Sequence, residues 1–399
     1  MKHFAAAGIA AVAAVASATP LAAQDAATVT KPAVEAAPTP PALLPALAGP
    51  LAYSATPTAI DAGPLGKIYV TGIASGIGRF QDHTVTAAGD RDSFGDVSNG
   101  QIIVQKVDGI FQFFAQAGIY STPSLGVPYL RASRTNESTF GPLPQAFIKI
   151  APTANFSVQV GKLPTLIGAE YTFTFENMSI DRGLLWNQEN AVNKGVQANY
   201  THGPLAFSLA LNDGFYSSKY STLTGSVAWT IDPADVIAFV GSGNTRTTTK
   251  STFVTPGVLN NQQLFNLIYT RTKGKWLVQP YLQYTHVDAL PFFGTTSAST
   301  FGGAVLARYQ FTPEFSLPVR AEYITSSGPR NGTQASFLYG PGSDAFSVTV
   351  TPTYQYKLFF ARVEGSYVKA SNTTPGAVFG ALGNDRSQLR GVVEAGIIF

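Results

Sequence analysis

The last twelve residues, Gln388 to Phe399, constrain the chain most. They read Q-L-R-G-V-V-E-A-G-I-I-F. Counting back from Phe399, Ile397, Ala395, Val393, Gly391 and Leu389 are apolar or small. Glu394, Arg390 and Gln388 occupy the alternate positions, with Ile398, Gly396 and Val392 mixed among them. A period of two is the signature of a strand whose side chains point alternately to opposite faces. One greasy face and one charged face, running to the carboxyl terminus, suit the closing strand of a membrane barrel. There, lipid-facing and lumen-facing residues alternate.

The chain upstream agrees. From Lys67 onward, segments of about nine to thirteen alternating residues recur between turn signals. Phe346, Val348 and Val350 alternate with Ser347, Thr349 and Thr351, and Leu317, Val319, Ala321 and Tyr323 alternate with Arg320 and Glu322. Such lengths match the ~9–11 residues that a tilted strand needs to cross the hydrocarbon layer. Short turns such as Thr201-His202-Gly203 and Lys273-Gly274 alternate with long polar loops at about 80–98, 122–142, 164–192, 213–221, 245–262, 288–298, 326–344 and 370–386. Lipid offers no partner to a free N–H or C=O, so only a closed sheet satisfies every strand. The expected fold is all-β: a transmembrane antiparallel up-and-down barrel of about 16 strands, with short periplasmic turns and long extracellular loops. A soluble sandwich or propeller fits less well, since no repeat of fixed period is present.

Residues 1–23 read as a secretory signal peptide: Lys2 supplies the positive end, Ala5 to Ala16 the apolar run and Ala22-Ala23 the small-residue cleavage site. Residues 24–64 are rich in Ala, Pro and Thr and read as a periplasmic linker. Leu43, Leu44 and Leu47 leave open the alternative that this stretch plugs the lumen. Residues 65–399 form the barrel, with the loop at about 164–192 folded inward.

Little in the chain points to catalysis. With no cysteine, thiolate metal sites and thiol nucleophiles are excluded. The formal charge of +3, without a basic run, argues against nucleic acid. Thr71-Gly72 through Gly76-Ile77-Gly78 imitates a dinucleotide-binding fingerprint, but no helical period follows it. The four histidines, His3, His83, His202 and His286, show no metal-ligand spacing, so neither metal nor cofactor is expected. His286 lies near a strand end, and no nucleophile can be placed beside it from sequence.

The longest loop is the candidate site. It carries Glu170, Glu176, Asp181 and Glu189 with Arg182 as the one counter-charge, yet it is also rich in Tyr171, Phe173, Phe175, Met178, Leu184, Leu185 and Trp186. An apolar, acidic loop should fold into the lumen, pressing its greasy side on the wall and offering carboxylates to the pore; packing at the outer rim is the alternative. Opposite it, strand parity turns Arg308, Arg320, Arg362, Arg390 and Arg79 inward. Glu322, Glu364 and Glu394 share that face. In the lipid midplane an arginine would cost roughly 2–4 kcal/mol. A field between carboxylates and guanidiniums would sieve small polar solutes.

These residues resemble the OmpL-like β-barrel porins of Gram-negative outer membranes. The resemblance is most specific over Gln145 to Asn212. There Q-A-F-I-K-I precedes Phe156 to Leu163, Pro164-Thr165-Leu166-Ile167-Gly168 follows, and Asn177 to Leu185 and Asn193 to Ala198 match the family's loop and next strand. The family's usual aromatic is replaced by Leu163, and its usual serine by Asp181. The resemblance implies passive diffusion in the bacterial outer membrane, with no catalytic residues. The terminal Phe399 also resembles the signal that hands outer-membrane proteins to the barrel-assembly machinery. Implied partners are outer-membrane lipid and lipopolysaccharide, that machinery, small hydrophilic solutes and, as an open alternative, a homotrimer. Two other functions stay in view: a transporter of apolar compounds with an N-terminal plug, and a barrel enzyme or adhesin using His286.

Overall fold

A computed structural model describes residues 43–45, 47, 49–54, 56–85 and 90–399. The signal peptide and the first part of the linker lie outside the described residues. The strands are β1 Thr58–Asp61, β2 Lys67–Gln81, β3 Ser93–Lys106, β4 Phe111–Tyr120, β5 Gln145–Ile150, β6 Phe156–Pro164, β7 Val192–His202, β8 Leu205–Asn212 and β9 Thr222–Asp232. They continue as β10 Asp235–Asn244, β11 Gln262–Lys273, β12 Trp276–Val287, β13 Ala298–Gln310, β14 Phe315–Ser326, β15 Asp344–Val350, β16 Thr353–Tyr356, β17 Phe359–Ser371 and β18 Ser387–Ile398.

From β2 onward, successive strands pair antiparallel around the molecule. β15 and β16 are two pieces of one wall strand, since both lie between β14 and β17. They part at Thr351-Pro352, where proline has no N–H to give to a ladder. β1 adds four residues to the edge of β2. The wall is therefore the expected closed antiparallel barrel of 16 strands.

The seam joins β18 to β2 through register pairs such as Val393↔Gly78 and Ala395↔Gly76. Phe399 completes it, exchanging backbone hydrogen bonds with Gly72 at 2.9 and 3.0 Å. A Cβ on Gly72 would lie 2.6 Å from the Phe399 ring, and one on Gly78 3.0 Å from Val393. Two of the glycines that imitate a nucleotide motif, Gly72 and Gly78, thus make room for the side chains of the closing strand.

Alternation in sequence becomes two solvents in space. Leu209, Val227, Trp229, Phe239, Leu282, Phe301, Val363 and Leu389 are exposed on the outer face, where hydrocarbon would cover them. Aromatic contacts at the turn end, Trp276 with Tyr309 and Tyr309 with Phe311 (ring centroids 4.7 Å apart in both), form part of an interfacial girdle. No helix among the described residues is long and apolar enough to cross a membrane.

Two details depart from the sequence expectation. β3 begins at Ser93, within the stretch expected as loop 80–98. The register shifts between Ser75 and Gly76, opposite Val97 and Asn99, which leaves Ser98 as the extra residue of a bulge. The bulge moves the alternation by one and hides the strand's period. The loop expected at 122–142 also contains a short helix, Ala132–Ser138, whose Ala132 N–H bonds Asp96 at 2.8 Å.

Candidate pore constriction

The segment between β6 and β7 turns into the barrel. Every residue from 165 to 191 is buried except Asn187, which is half-buried. Apolar packing explains the direction. Leu166, Ile167, Phe173, Phe175 and Trp186 join wall residues Ile73, Ile103, Phe147 and Ile398 in one cluster. Ala169, Met178, Leu184 and Leu185 join Ala304, Leu306, Ile324 and Val368 in another. At Gly168 the backbone takes φ +86°, and an added Cβ would fall 1.8 Å from a Glu189 carboxyl oxygen. Only glycine suits that conformation and that space.

Inside the barrel the loop joins no wall strand and bridges the segment 123–125 at Arg182, so many of its other peptide groups need partners from the wall. Charged side chains supply them. The guanidinium of Arg362 donates to the carbonyls of Thr174, Asn177 and Met178 at 2.9, 3.0 and 3.0 Å. Glu364 accepts the N–H groups of Ile180 and Asp181 at 2.5 and 3.1 Å. Glu322 accepts those of Leu184 and Leu185 at 3.0 and 3.5 Å, and Glu394 accepts the Thr174 hydroxyl at 2.6 Å. The inward parity of these three glutamates was legible from alternation; their role as acceptors for loop amides was not.

The opposite charges touch directly. Arg320 Nη1 lies 2.6 Å from Glu170 Oε1 and donates to the Asp181 carbonyl at 2.8 Å. Asp181 Oδ2 lies 2.6 Å from Arg390 Nη1 and 3.4 Å from Arg79 Nη2. Arg182 stays within the loop, donating to the Thr172 and Ile180 carbonyls and lying 5.1 Å from the Trp186 ring centroid. The sequence had the arginines standing across water from the loop. Instead, Arg79, Arg320, Arg362 and Arg390 clamp it to the wall of β14, β17, β18 and β2.

The remaining expected residues sit elsewhere. Arg308 faces inward but meets the segment before β1, donating to the Gly49 carbonyl at 2.7 Å. Glu176 accepts the Phe173 N–H through one oxygen at 2.9 Å, and its other oxygen has no partner. Burial pushes its carboxyl up to about 8. Neither carboxyl oxygen of Glu189 has a partner. Burial, with Glu170 and Glu322 nearby, holds it well above the usual carboxylate range.

The loop's other side meets neutral groups. Gly168 N–H bonds Asn266 at 3.0 Å, and Gln283 donates to the Leu185 carbonyl at 3.0 Å. Toward the turn end, Gln159, Asn199, Ser208, Ser226 and Thr230 are half-buried on the inner face of β6 to β9. They outline a polar vestibule.

His286 lies on the outer face beside Tyr284. Its Nδ1 is 2.8 Å from Ser299 Oγ, and its Nε2 is 3.3 Å from Asp288. This is the serine that sequence could not place. The Ser299 N–H is already given to Ser327 Oγ at 2.8 Å, and Tyr284 shares the hydroxyl at 3.1 Å. The group is a hydrogen-bonded cluster at the rim, in which the Ser299 N–H is engaged rather than aimed at an oxyanion.

Solved outer-membrane proteins share this architecture at low sequence identity. An anion-selective porin from Comamonas acidovorans superposes with a TM-score of 0.57 at 11% identity, covering 83% of this chain and 99% of that one. OmpT of Vibrio cholerae gives 0.55 at 13% identity, covering 84% and 99%. OmpF of Salmonella typhi, in complex with daunomycin, gives 0.55 at 14%, covering 86% and 100%. A search of curated proteins found no match. The family model described as "Putative beta-barrel porin-2, OmpL-like" matches residues 67–399. The chain therefore belongs to the OmpL-like family of outer-membrane β-barrel porins.

Proposed function

We propose that the protein is an outer-membrane pore for the passive diffusion of small hydrophilic solutes and ions, with the loop at 164–192 as its constriction. The observation that carries this reading is a charged loop folded across the lumen above a polar vestibule. Charged contacts hold the loop on one side and neutral amides on the other, so the side facing β11 and β12 is the weaker seam. The passage runs there, from the vestibule past Glu189. The loop is packed at this seam, so conduction requires it to shift.

Single-channel recording in a planar bilayer tests the proposal. Exchange of Glu170, Glu176, Asp181 and Glu189 for glutamine leaves the wall arginines in excess and should turn ion selectivity toward anions. If reversal potential and conductance stay unchanged, the constriction role is lost. A carrier of apolar compounds would share the lumenal N-terminal segment, but the vestibule's amides and hydroxyls do not suit such cargo.

A further inference from the structure

We propose that the described residues 43–45, 47 and 49–54 form a latch that holds the constriction loop closed from the turn end of the barrel. The inference rests on the pore reading above. Two glutamines from different parts of the wall clasp this segment as a neighbouring strand would. Gln105 on β3 accepts the Leu44 N–H at 2.9 Å and donates to the Leu44 carbonyl at 2.7 Å. Gln355 on β16 does the same for Ala52, at 2.8 Å in both directions.

Between these clasps the segment touches the loop itself. The Gly49 N–H bonds the Glu176 carbonyl at 3.1 Å. Its own carbonyl takes the hydrogen bond from Arg308. A Cβ at Gly49 would lie 2.2 Å from the Asn177 carbonyl oxygen, so the two backbones meet with no room for a side chain. Leu51 is buried in the cluster that holds Phe173 and Phe175, and Leu47 and Tyr53 pack against it. The segment thus covers the apolar underside of the loop and passes beneath its arginine-clamped side.

A tether that merely linked the leader to the first strand would need none of these bonds. Six backbone groups at Leu44, Gly49 and Ala52 are satisfied by the wall and the loop. Release of the segment leaves the Glu176 carbonyl and the apolar underside uncovered, which favours a displaced loop. Regulation of the pore would then act on the segment from the periplasm.

The test compares the intact chain with one lacking residues 24–54 and with Gly49→Ala, all exported with the same leader and checked for folding by heat-modifiable gel mobility. Deletion should raise the open probability of single channels by about tenfold or more, since the loop loses its hydrogen bond from Gly49 and the apolar cover of Leu47, Leu51 and Tyr53. Gly49→Ala should act in the same direction. The chain has no cysteine, so Ala52→Cys with Gln355→Cys can be joined by a bis-methanethiosulfonate reagent. The joined chain should stay closed, and reductant should return it to the level of the unjoined one. If the intact chain conducts and deletion changes nothing, the latch is refuted while the pore stands. If both folded chains are silent, the pore reading fails and the latch with it. Failure of the cysteines to join in a folded barrel overturns the placement of the segment.

Discussion

Asp181→Asn is the sharpest probe of the clamp. The Asp181 carboxylate is buried between Arg390 and Arg79, at 2.6 and 3.4 Å. Arg390 would keep Gln81, the Ser124 carbonyl and Gln388 as partners. Arg79 would keep no anion: its Nε and Nη1 already lack partners, leaving the Phe94 and Tyr129 rings at 5.9 and 5.4 Å. Removing one member of a buried ion pair costs about 3–5 kcal/mol, and the ring contacts and the surviving asparagine oxygen favour the low end. A loss of about 3 kcal/mol is a shift of roughly 150-fold in the docked-to-released ratio of the loop, at 1.36 kcal/mol per decade. The loop should become protease-sensitive within an intact barrel, and single-channel records should show frequent opening. Barrel melting should hardly move, because the strand ladders do not use Asp181. Pairing the change with Arg79→Met removes the stranded cation and should recover part of the loss. A singly substituted protein as protease-resistant and as quiet as its parent would refute the reasoning, and so would a double variant no better than the single.

Three further expectations follow from the same geometry. Gly183→Ala places a Cβ 1.9 Å from a Glu322 carboxyl oxygen; evicting that carboxylate strands the Leu184 and Leu185 N–H groups at about 1–3 kcal/mol each, which hydrogen exchange at these amides would report. With Glu176 raised to about 8 in the docked loop by burial, the docked state keeps a proton that the released state gives up above ~4.5, so docking weakens as pH rises from about 5 to about 8. Open probability should climb over that range and flatten in Glu176→Gln/Glu189→Gln, since Glu189 shifts in the same direction; a pH-independent parent would contradict this. Phe399→Ala uncovers Gly72 at the seam and loses about 1 kcal/mol of half-buried ring, which should lower the yield of folded barrel in outer-membrane fractions, with Phe399→Tyr restoring it.

The alternation in β13 to β18 could be read without a structure, because on a strand the face of a side chain follows from its parity alone. That rule turned Arg308, Arg320, Arg362 and Arg390 inward. The apolar content of Phe173, Phe175 and Trp186 likewise said that the loop would not stay in water. The bulge at Ser98 defeated the same rule locally, since one extra residue exchanges the two faces. What lies against what, however, is a matter of distance across the lumen, and no period encodes it. Only the tertiary structure decided that Arg320 meets Glu170, that Glu322 and Glu364 serve the loop's amides, and that Gly49 sits under Asn177. A strand's own geometry sets which way each residue faces, whereas the partner it finds depends on how sixteen strands close and how far a loop and a tail reach into the space they enclose.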